Sequence, residues 1–490
     1  MENTAQLNVA LPAWRADRLV PRMVHLGCGA FHRAHQALYL HHLLEISDCD
    51  WGICEVNLMS ASGQQLVEKL RQQNLLYSVT EKGAESSDVK IIGVVIEALH
   101  PGLEGCASII TALTRPETAI VSLTITEKGY CTTGASGELD SENPLIQHDL
   151  AHPATPKSAL GYIVEALRLR REQGLPPFTV LSCDNLRDNG HVARAAVLGL
   201  AQLRDPALAA WIDANVTFPS TMVDRIVPAV TPETEQEIAA LLGVADPCGV
   251  ACEPFRQWVI EDNFVNGRPD WDRVGAQFVN DVAPFEMMKL RMLNGSHSFL
   301  AYLGYLGGFA TVAETMQHPA YRHAALRLMM AEQAPTLSMP DDIDLRGYAD
   351  QLIARFSNPS LRHRTGQIAM DGSQKLPQRM LDSVRHHLRA GSDYRHLALG
   401  IAGWMRYVLG EDEQGQRFEV VDPLSVTLQA INQQHPMGED RVNALLGIKA
   451  IFADDLPANA AFVASVQRAY ALLCQAGARA AVESLNQESH

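Results

Sequence analysis

The chain has 490 residues, of which 47% are apolar and 20% are charged, and its formal net charge is −16 with an isoelectric point near 5.6. This length predicts a large core and two or three domains. The acidic balance argues against a nucleic-acid partner, because phosphate binding depends on clustered lysines and arginines. A small metabolite is therefore the favoured kind of ligand.

Neither a targeting segment nor a membrane span is predicted. Met1–Asp17 lacks a basic start followed by an apolar core, and no uninterrupted apolar stretch is long enough to span a bilayer. We therefore expect a cytoplasmic protein. The nine cysteines are scattered and none has a second pair at the spacing of a zinc site, so we interpret them as small buried residues and expect no metal.

The first half of the chain alternates short apolar runs with helical stretches, which is typical of a parallel sheet covered by helices on both faces. Helices are predicted over Ala34–Ile46 and Ser158–Gln173. This half is therefore expected to be an α/β domain. Its predicted strands, in chain order, are Met23–Leu26, Trp51–Leu58, Lys90–Ile96, Ala119–Thr126 and Phe178–Ser182.

A glycine-containing turn follows the first predicted strand. Gly27 and Gly29 lie between this strand and a helical run, and such a turn offers free backbone N–H groups and a helix N-terminus to a pyrophosphate. His32 occupies the position of the third glycine of the dinucleotide fingerprint. The turn predicts a dinucleotide site, and the alternative on these residues alone is a tight strand–helix turn without a ligand.

Later strand ends also carry polar residues. The second strand ends near Asn57 with no charged residue at its tip and no lysine or arginine before Lys69, which favours NAD over NADP. The fourth strand ends at Thr126 and Glu127, and Asp184–Gly190 follow the fifth. Because ligands bind beyond the carboxyl ends of such strands, these residues are expected at a site. For Asp184–Gly190 the alternative is an ordinary turn rich in Asp and Asn.

From about residue 285 the sequence changes to long amphipathic stretches, which predict a mainly α-helical second domain. We expect one domain over residues 1–284 and another over 285–490, with a ligand cleft between them. Gly410–Gln416 is expected to be a solvated loop. The predicted helices are Met287–Leu306, His318–Gln333, Leu345–Phe356, Pro377–Arg389, His396–Leu409, Arg441–Phe452 and Ala460–Ala476.

The stretch around Lys289 places polar side chains in an otherwise apolar helical sequence. At about 100° per residue, four of them project within one arc of about 140°. They are Glu286, Lys289, Asn294 and His297. Burial lowers the pKa of a lysine towards that of a general base, asparagine binds a carbonyl or alkoxide oxygen, and histidine orients a hydroxyl. The set predicts a catalytic site, and the alternative is a buried Lys–Glu pair with Asn and His satisfied in the core.

Four motifs carry a resemblance to a known family, and together they extend over essentially the whole chain. They are His25–His35, Ser182–Asn185, Thr221–Arg225 and Lys289–His297. With them the sequence resembles the polyol-specific long-chain dehydrogenases and reductases, also called the mannitol dehydrogenase family. It is most similar to the branch that interconverts D-mannonate and D-fructuronate and to the uncharacterised bacterial relatives of that branch.

The resemblance implies a fold and a mechanism. The fold is α/β, with an N-terminal Rossmann-type domain that has an extended, mostly parallel sheet, followed by a mainly α-helical C-terminal domain. Lys289 is expected to be the general base, and Asn185 and Asn294 are expected to bind the oxygen on the reacting carbon. His297 is expected to bind substrate hydroxyls, and Glu286 to relay the proton to solvent. The cofactor is expected to be NAD, and no metal is required.

The residues expected to contact NAD are Gly27, Gly29, Phe31, Arg33, Thr126 and Glu127. Asp224 fits a role in holding substrate hydroxyls or the Lys289 ammonium, and the alternative is a structural pair with Arg225.

Cations downstream of the catalytic stretch suggest an acidic substrate. A carboxylate would pair with one of them, most effectively with a bidentate arginine. Arg364 is the first choice and Lys375 the second, and the alternative is that these are surface charges making local pairs. The cations are Arg362, Arg364, Lys375 and Arg379.

The expected function is an NAD-dependent oxidoreductase that interconverts a sugar acid or polyol with its keto form, D-mannonate and D-fructuronate being favoured. The first alternative is a neutral polyol 2-dehydrogenase acting on mannitol or arabinitol. A nucleotide-sensing protein without catalysis is the second, and it would be expected to have lost Lys289 or one of the asparagines. The expected partner is a small molecule rather than a nucleic acid or a membrane, and the sequence makes no prediction of the oligomeric state.

Overall fold

A computed structural model describes residues 7–133 and 137–487, so the first six residues of the N-terminal stretch considered above lie outside the described part. The chain divides into two compact units, one ending at Ala283 and the other beginning at Pro284. Among the described helices, none combines the length and apolar character needed to cross a lipid bilayer.

The first unit is built on a five-stranded parallel sheet with the order β5-β2-β1-β6-β9. Further strands form separate small sheets, in the orders β10-β12-β13, β11-β3-β4 and β7-β8. The strands are β1 Val20–Leu26, β2 Trp51–Val56, β3 Tyr77–Lys82, β4 Ser87–Ile92, β5 Val95–Leu99, β6 Ile120–Leu123, β7 Thr132–Thr133, β8 Glu138–Leu139, β9 Thr179–Ser182, β10 Thr221–Asp224, β11 Val250–Cys252, β12 Gln257–Glu261 and β13 Gln277–Val279.

Alternating side chains of the central strands enter two different cores, one on each face of the sheet. In β1, Val24 and Leu26 pack into one core, while Met23 packs into the other. Val180 and Leu181 of β9 divide between the same two cores. Because both faces are covered, these strands are mostly apolar, apart from buried polar residues such as His25 and Glu55, which is why short apolar runs revealed them in the sequence.

The prediction of one strand over Lys90–Ile96 is wrong. This run divides at Gly93 between β4, which pairs antiparallel with β3, and β5, which is the edge of the parallel sheet. A Cβ atom at Gly93 would lie 2.7 Å from Cγ of Pro12, so the glycine allows the chain to pass close to Pro12 where it changes sheet.

Helices cover the sheet between its strands, as the alternating pattern predicts. Ser60 and Ser158 cap two of them, each accepting a hydrogen bond from a backbone N–H in the first turn. The helices of this unit are α1 Ala30–Ala34, α2 Gln36–Ile46, α3 Ala61–Gln72, α4 Pro101–Glu104, α5 Cys106–Leu113, α6 Thr126–Gly129, α7 Pro144–Ala151, α8 Ala159–Glu172, α9 Asn189–Arg204, α10 Pro206–Asn215 and α11 Pro232–Leu242.

The second unit is helical in its described part, which confirms the predicted fold class. Gly410–Gln416 contains no helix or long strand, as expected of a loop. The α-helices are α12 Ala283–Met288, α13 Ser296–Leu306, α14 Val312–Gln317, α15 Pro319–Arg327, α16 Leu345–Phe356, α17 Thr365–Ile368, α18 Gly372–Leu376, α19 Asp382–Ala390, α20 Arg395–Tyr407, α21 Ser425–Gln434, α22 Gly438–Leu446, α23 Lys449–Phe452, α24 Asp455–Ala458 and α25 Ala460–Gln487.

Three of the predicted helices contain a π-helical segment, namely Lys289–Gly295, Leu328–Gln333 and Pro377–Leu381. The three segments meet at Gly295. A Cβ atom on this glycine would lie 2.6 Å from Nε2 of Gln333 and 2.9 Å from the carbonyl oxygen of Arg379. Gly295 therefore lets the backbone around Arg379 approach the helix that carries Lys289. Such π segments occur frequently at functional sites.

Candidate active site

The loop after β1 is fixed against the sheet on one side and open on the other. Gly27 has a φ of 103°, and a Cβ atom there would collide with the Thr124 carbonyl oxygen. The backbone N–H of Cys28 donates to Oδ1 of Asn57 at 2.9 Å, at the end of β2. At Gly29, which precedes α1, the nearest atom to a Cβ would be 3.9 Å away. The space beside Gly29 therefore fits a pyrophosphate close to the backbone.

A buried polar cluster supports this loop from below. The rings of His25 and His32 stack with centroids 3.3 Å apart, and His32 pairs with Glu55 at 2.6 Å. His25 bonds Oγ of Ser122 at 2.7 Å and the Gly27 carbonyl oxygen at 3.1 Å. Burial, followed by the charge of His32, holds the pKa of His25 well below its usual value. The cluster thus ties the glycine turn to the strands beneath it.

The side chains of His25, His32 and Glu55 place possible metal-ligand atoms within 4.8 Å of one another, as a metal site would. However, Nδ1 of His25 already bonds Ser122, and Nδ1 of His32 lies 3.2 Å from Oε1 of Gln36. The His32 nitrogen that faces Glu55 is hydrogen-bonded to that carboxylate. The geometry therefore favours a hydrogen-bonded support of the loop over a metal site.

Arg33 and Phe31, both expected to contact the cofactor, have contacts within the first unit. The Arg33 guanidinium donates to the carbonyl oxygen of Cys248 and, at 3.3 Å, to that of Gly29. The Phe31 ring stacks on His35 with centroids 4.9 Å apart. We therefore assign Arg33 the anchoring of the loop, while contact of the backbone at Gly29 with the cofactor stays a prediction.

The next candidate site residues lie together at the carboxyl ends of the neighbouring strands β6 and β9. Thr126 and Glu127 are exposed, and Thr126 has a left-handed backbone with a φ of 62°. Asn185 is also exposed and directly follows the buried Asp184. The Asp184 carboxylate accepts the Thr126 N–H at 2.9 Å, so it links the two strand ends. Sequence reasoning named Asp184 only as part of a turn.

Asp224 ends β10 and is buried, and it lies near His35, whose pKa burial lowers to about 3. The neighbouring Arg225 pairs with Glu81 and donates to the carbonyl oxygen of Glu253 at 3.0 Å. The contacts of Arg225 therefore account for this arginine without a pair to Asp224.

In the second unit, Lys289 and Asn294 are half-buried and mark the two ends of the π segment that joins α12 to α13. The predicted arc assumed α-helical spacing. A π-helix pairs residues five positions apart, which is the separation of Lys289 and Asn294, so it brings them closer to one side than an α-helix would. Glu286 lies in the preceding α12.

His297 is fully packed but has one unsatisfied atom. Its ring stacks on Phe356 with centroids 5.1 Å apart and meets the edge of His363 at 4.7 Å. Within the described part of the chain, its Nε2 is buried without a hydrogen-bond partner. Burial, followed by the charges of His363 and Arg379, holds the pKa of His297 well below its usual value. A neutral imidazole with an open nitrogen suits a substrate hydroxyl.

Arg379 and Lys375 lie in this neighbourhood and are both half-buried. Arg379 donates to Oγ of Ser298 at 3.0 Å and to the Asn294 carbonyl oxygen at 3.4 Å, and Lys375 donates to the Ile368 carbonyl oxygen at 3.1 Å. Burial lowers the pKa of both cations.

No carboxylate of residues 7–133 or 137–487 forms an ion pair with either cation, although Asp371 and Asp422 act on Lys375 from further away.

Arg364, the first choice from the sequence, lies elsewhere. It is exposed and lines a cavity of about 630 Å³ together with Tyr305 and Phe418. Tyr305 is sixteen residues beyond Lys289 on one continuous helical segment, a separation of about 24 Å at the usual α-helical rise. His363, which directly precedes Arg364, contacts the ring of His297 instead. The structure thus groups His297 with Arg379 and Lys375 and leaves Arg364, and the exposed Arg362, apart from them.

Comparison with known proteins assigns both units to domains of one protein family. Residues 21–273 match the model of the mannitol dehydrogenase Rossmann domain, and residues 281–474 match that of the mannitol dehydrogenase C-terminal domain. The chain belongs to the mannitol dehydrogenase family, which confirms the predicted resemblance.

Individual relatives and solved structures are similar over nearly their whole length. The chain is 70% identical over 481 residues to D-mannonate oxidoreductase of Escherichia coli K12, covering 98% of this chain and 99% of the relative. It is 56% identical over 475 residues to an uncharacterised oxidoreductase of the same organism, with coverages of 97% and 96%.

Mannitol 2-dehydrogenase of Pseudomonas fluorescens, solved with NAD and D-mannitol, is 38% identical with a TM-score of 0.83 and 99% coverage of both chains. A D-sorbitol dehydrogenase solved without substrate is 35% identical with a TM-score of 0.91, covering 98% and 99%.

Proposed function

We propose that this protein is an NAD-dependent oxidoreductase that interconverts a sugar acid with its keto form, and that D-mannonate and D-fructuronate are the pair. Identity of 70% to a D-mannonate oxidoreductase over nearly the whole of both chains supports this substrate. The cations of the second unit support an acid independently.

The observation that carries the proposal is the pair of half-buried cations, Arg379 and Lys375, next to His297. Burying a charge without a counter-ion is costly, and in the described part of the chain no carboxylate forms an ion pair with either cation. A substrate carboxylate would supply the missing charge. A hydroxyl of the same substrate would satisfy Nε2 of His297.

NAD fits the first unit, where the glycine turn leaves space beside Gly29 and Asn57 carries no charge that would select a 2′-phosphate. When bound, NAD accepts a hydride from the carbon that is oxidised. We assign nucleotide binding to residues 1–284 and the base, with carboxylate recognition, to residues 285–490. Thr126 and Glu127 are proposed as further cofactor contacts because they lie exposed at the edge where the strands end.

Lys289 is proposed as the general base that removes the proton of the hydroxyl group as the hydride leaves. Asn294 and Asn185 are proposed to donate hydrogen bonds to the oxygen that becomes negatively charged, and these bonds strengthen as the charge develops. Glu286, in the helix before Lys289, is proposed to pass the proton on to solvent. This scheme needs no metal for any step.

A neutral polyol is the second candidate, because the solved relative from Pseudomonas fluorescens binds D-mannitol. The deciding experiment compares NADH formation from D-mannonate and from D-mannitol, each with NAD and with NADP. The proposal expects the acid to give the higher kcat/KM and NAD to be preferred. Equal turnover of acid and polyol would favour the neutral substrate instead.

We further propose a cytoplasmic location, which agrees with nine cysteines that are all unpaired thiols.

A further inference from the structure

Asp184 lies directly before the proposed catalytic residue Asn185, and its carboxylate is occupied by a neighbouring loop. One oxygen, Oδ1, accepts the backbone N–H of Thr126 at 2.9 Å. The other, Oδ2, accepts the N–H of Ile125 at 3.1 Å and the hydroxyl of Tyr130 at 2.6 Å. The side chain is 8% exposed. All three donors come from the segment that follows β6.

These hydrogen bonds hold a backbone conformation that the loop would not prefer by itself. Thr126 has a φ of 62°, and the left-handed region is disfavoured for a residue branched at Cβ. The two N–H groups that Asp184 binds belong to Thr126 and the residue before it. The carboxylate therefore fixes the loop at the point where its backbone is strained, directly before Glu127.

The carbonyl group of Asp184 fixes the other side. It accepts the N–H of Leu186 at 2.8 Å, which closes a three-residue turn centred on Asn185. It also accepts Nδ2 of Asn189 at 3.0 Å. The Asn189 side chain accepts the N–H of Thr221 at 2.9 Å through Oδ1, and Thr221 begins the strand that ends at Asp224. One buried network thus joins three strand ends.

We propose that Asp184 is a positioning residue that holds the Thr126–Glu127 loop and the turn of Asn185 in a fixed relation. Strands β6 and β9 are parallel neighbours with Leu123 opposite Ser182, so both loops leave the same edge of the sheet. The inference rests on the proposed function, in which one loop contacts NAD and the other binds the oxygen of the substrate. Asp184 itself touches neither.

The substitution Asp184→Asn tests this closely, because it keeps the size of the side chain and removes one acceptor. An amide NH₂ in place of Oδ1 would face the N–H of Thr126, and in place of Oδ2 it would face the N–H of Ile125. Either orientation sets two donors against each other. We expect kcat/KM to fall by about tenfold to a hundredfold, because an unsatisfied N–H would displace the loop and a small misplacement of reacting groups costs up to about a hundredfold in rate.

Two further readouts and a second variant separate positioning from a general loss of folded protein. The Kd of NADH, measured by fluorescence titration, is expected to rise severalfold. The isotope effect with NADH deuterated at the transferred position is expected to increase, because a displaced loop slows hydride transfer itself. Tyr130→Phe, which removes only one of the three donors, is expected to shift the same quantities in the same direction by a smaller factor.

Asp149→Asn is the matched control. Asp149 is buried in the same unit and accepts the backbone N–H groups of Lys157 at 2.7 Å and Ser158 at 3.0 Å, at the N-terminal end of α8, so it contacts neither Thr126 nor the turn of Asn185 through these bonds. It is expected to lower the melting temperature without changing the NADH Kd or the isotope effect.

The proposal is overturned if folded Asp184→Asn keeps wild-type values of the NADH Kd and the isotope effect. If that variant does not fold, unchanged kinetics in Tyr130→Phe overturn it. A wild-type protein that turns over no sugar acid would contradict the proposed function instead, and the NADH Kd of both variants would still test the role of Asp184.

Discussion

Replacing Arg379 by methionine should weaken catalysis on an acid without weakening the fold. A charge-assisted hydrogen bond to a carboxylate contributes about 1.5–3 kcal/mol, so kcat/KM for D-mannonate should fall by about 10–150-fold. The reaction of D-mannitol, which has no carboxylate, should change by no more than a few fold. The ratio of the two kcat/KM values therefore reports the contact directly.

Stability should not fall in the same variant. Arg379 is half-buried without an ion pair to any described carboxylate, and replacing a desolvated charge of this kind by an apolar side chain of similar length is often neutral or stabilising. In this variant the two hydrogen-bond partners of Arg379 can still bond to each other. The Ser298 hydroxyl, now bound at 3.0 Å, lies four residues after the Asn294 carbonyl and can donate to it within the helix.

The assay is steady-state NADH formation with both substrates, combined with urea unfolding of the free protein. Arg364→Met is the matched control, because this arginine is exposed and lines a different cavity. It should leave the ratio of acid to polyol unchanged. Equal losses for D-mannonate and D-mannitol in Arg379→Met, or a larger change in Arg364→Met, would refute the reasoning.

Three further predictions concern the base, the oxygen-binding amides and the nucleotide loop. Lys289→Ala should lower turnover by orders of magnitude and remove the acid limb of the pH profile, while NADH binding stays normal. Retention of more than about a tenth of the activity would contradict the role of Lys289 as the base. Asn294→Ala and Asn185→Ala should each cost about 10²–10³ in kcat, and the double variant should lose less than the product, since strict multiplicativity would mean that they serve different atoms. Gly29→Val should fold but lose NADH affinity in a fluorescence titration, because the side chain would fill open space, whereas Gly27→Ala should lose stability because its Cβ would meet the Thr124 carbonyl.

The parallel sheet could be predicted because its strands are buried on both faces and short. Each central strand is mostly apolar and lies between polar segments, and the predicted start of β2 at Trp51 is the observed one. The run at Lys90–Ile96 misled the prediction because apolar residues continue across Gly93. The local sequence does not encode that the two halves pair with different sheets, since this depends on β3 and β2, which are distant in the sequence.

The sequence predicted candidate site residues more easily than it predicted which of them lie close to one another in the fold. Arg364 and Arg379 are equivalent in a sequence pattern, since both are arginines in an apolar helical region. The fold separates them because His363 faces His297 while Arg364 lines the cavity near Tyr305. Asp184 was inconspicuous for a related reason. Its partner Thr126 is close only because β6 and β9 are neighbours in the sheet.

Gly295 links Asn294, the proposed oxygen-binding residue, to Arg379, the proposed carboxylate-binding residue. The glycine follows Asn294 directly, and the absence of a side chain lets the Arg379 carbonyl come within 2.9 Å of the place a Cβ would occupy. Arg379 in turn donates to the Asn294 carbonyl oxygen at 3.4 Å. Any side chain at Gly295 would push the backbone of Arg379 away from Asn294, so it should alter the binding of a substrate carboxylate and the stabilisation of the alkoxide together. With these proposed roles, Gly295 is therefore expected to set the spacing between the groups that bind the two ends of an acid substrate.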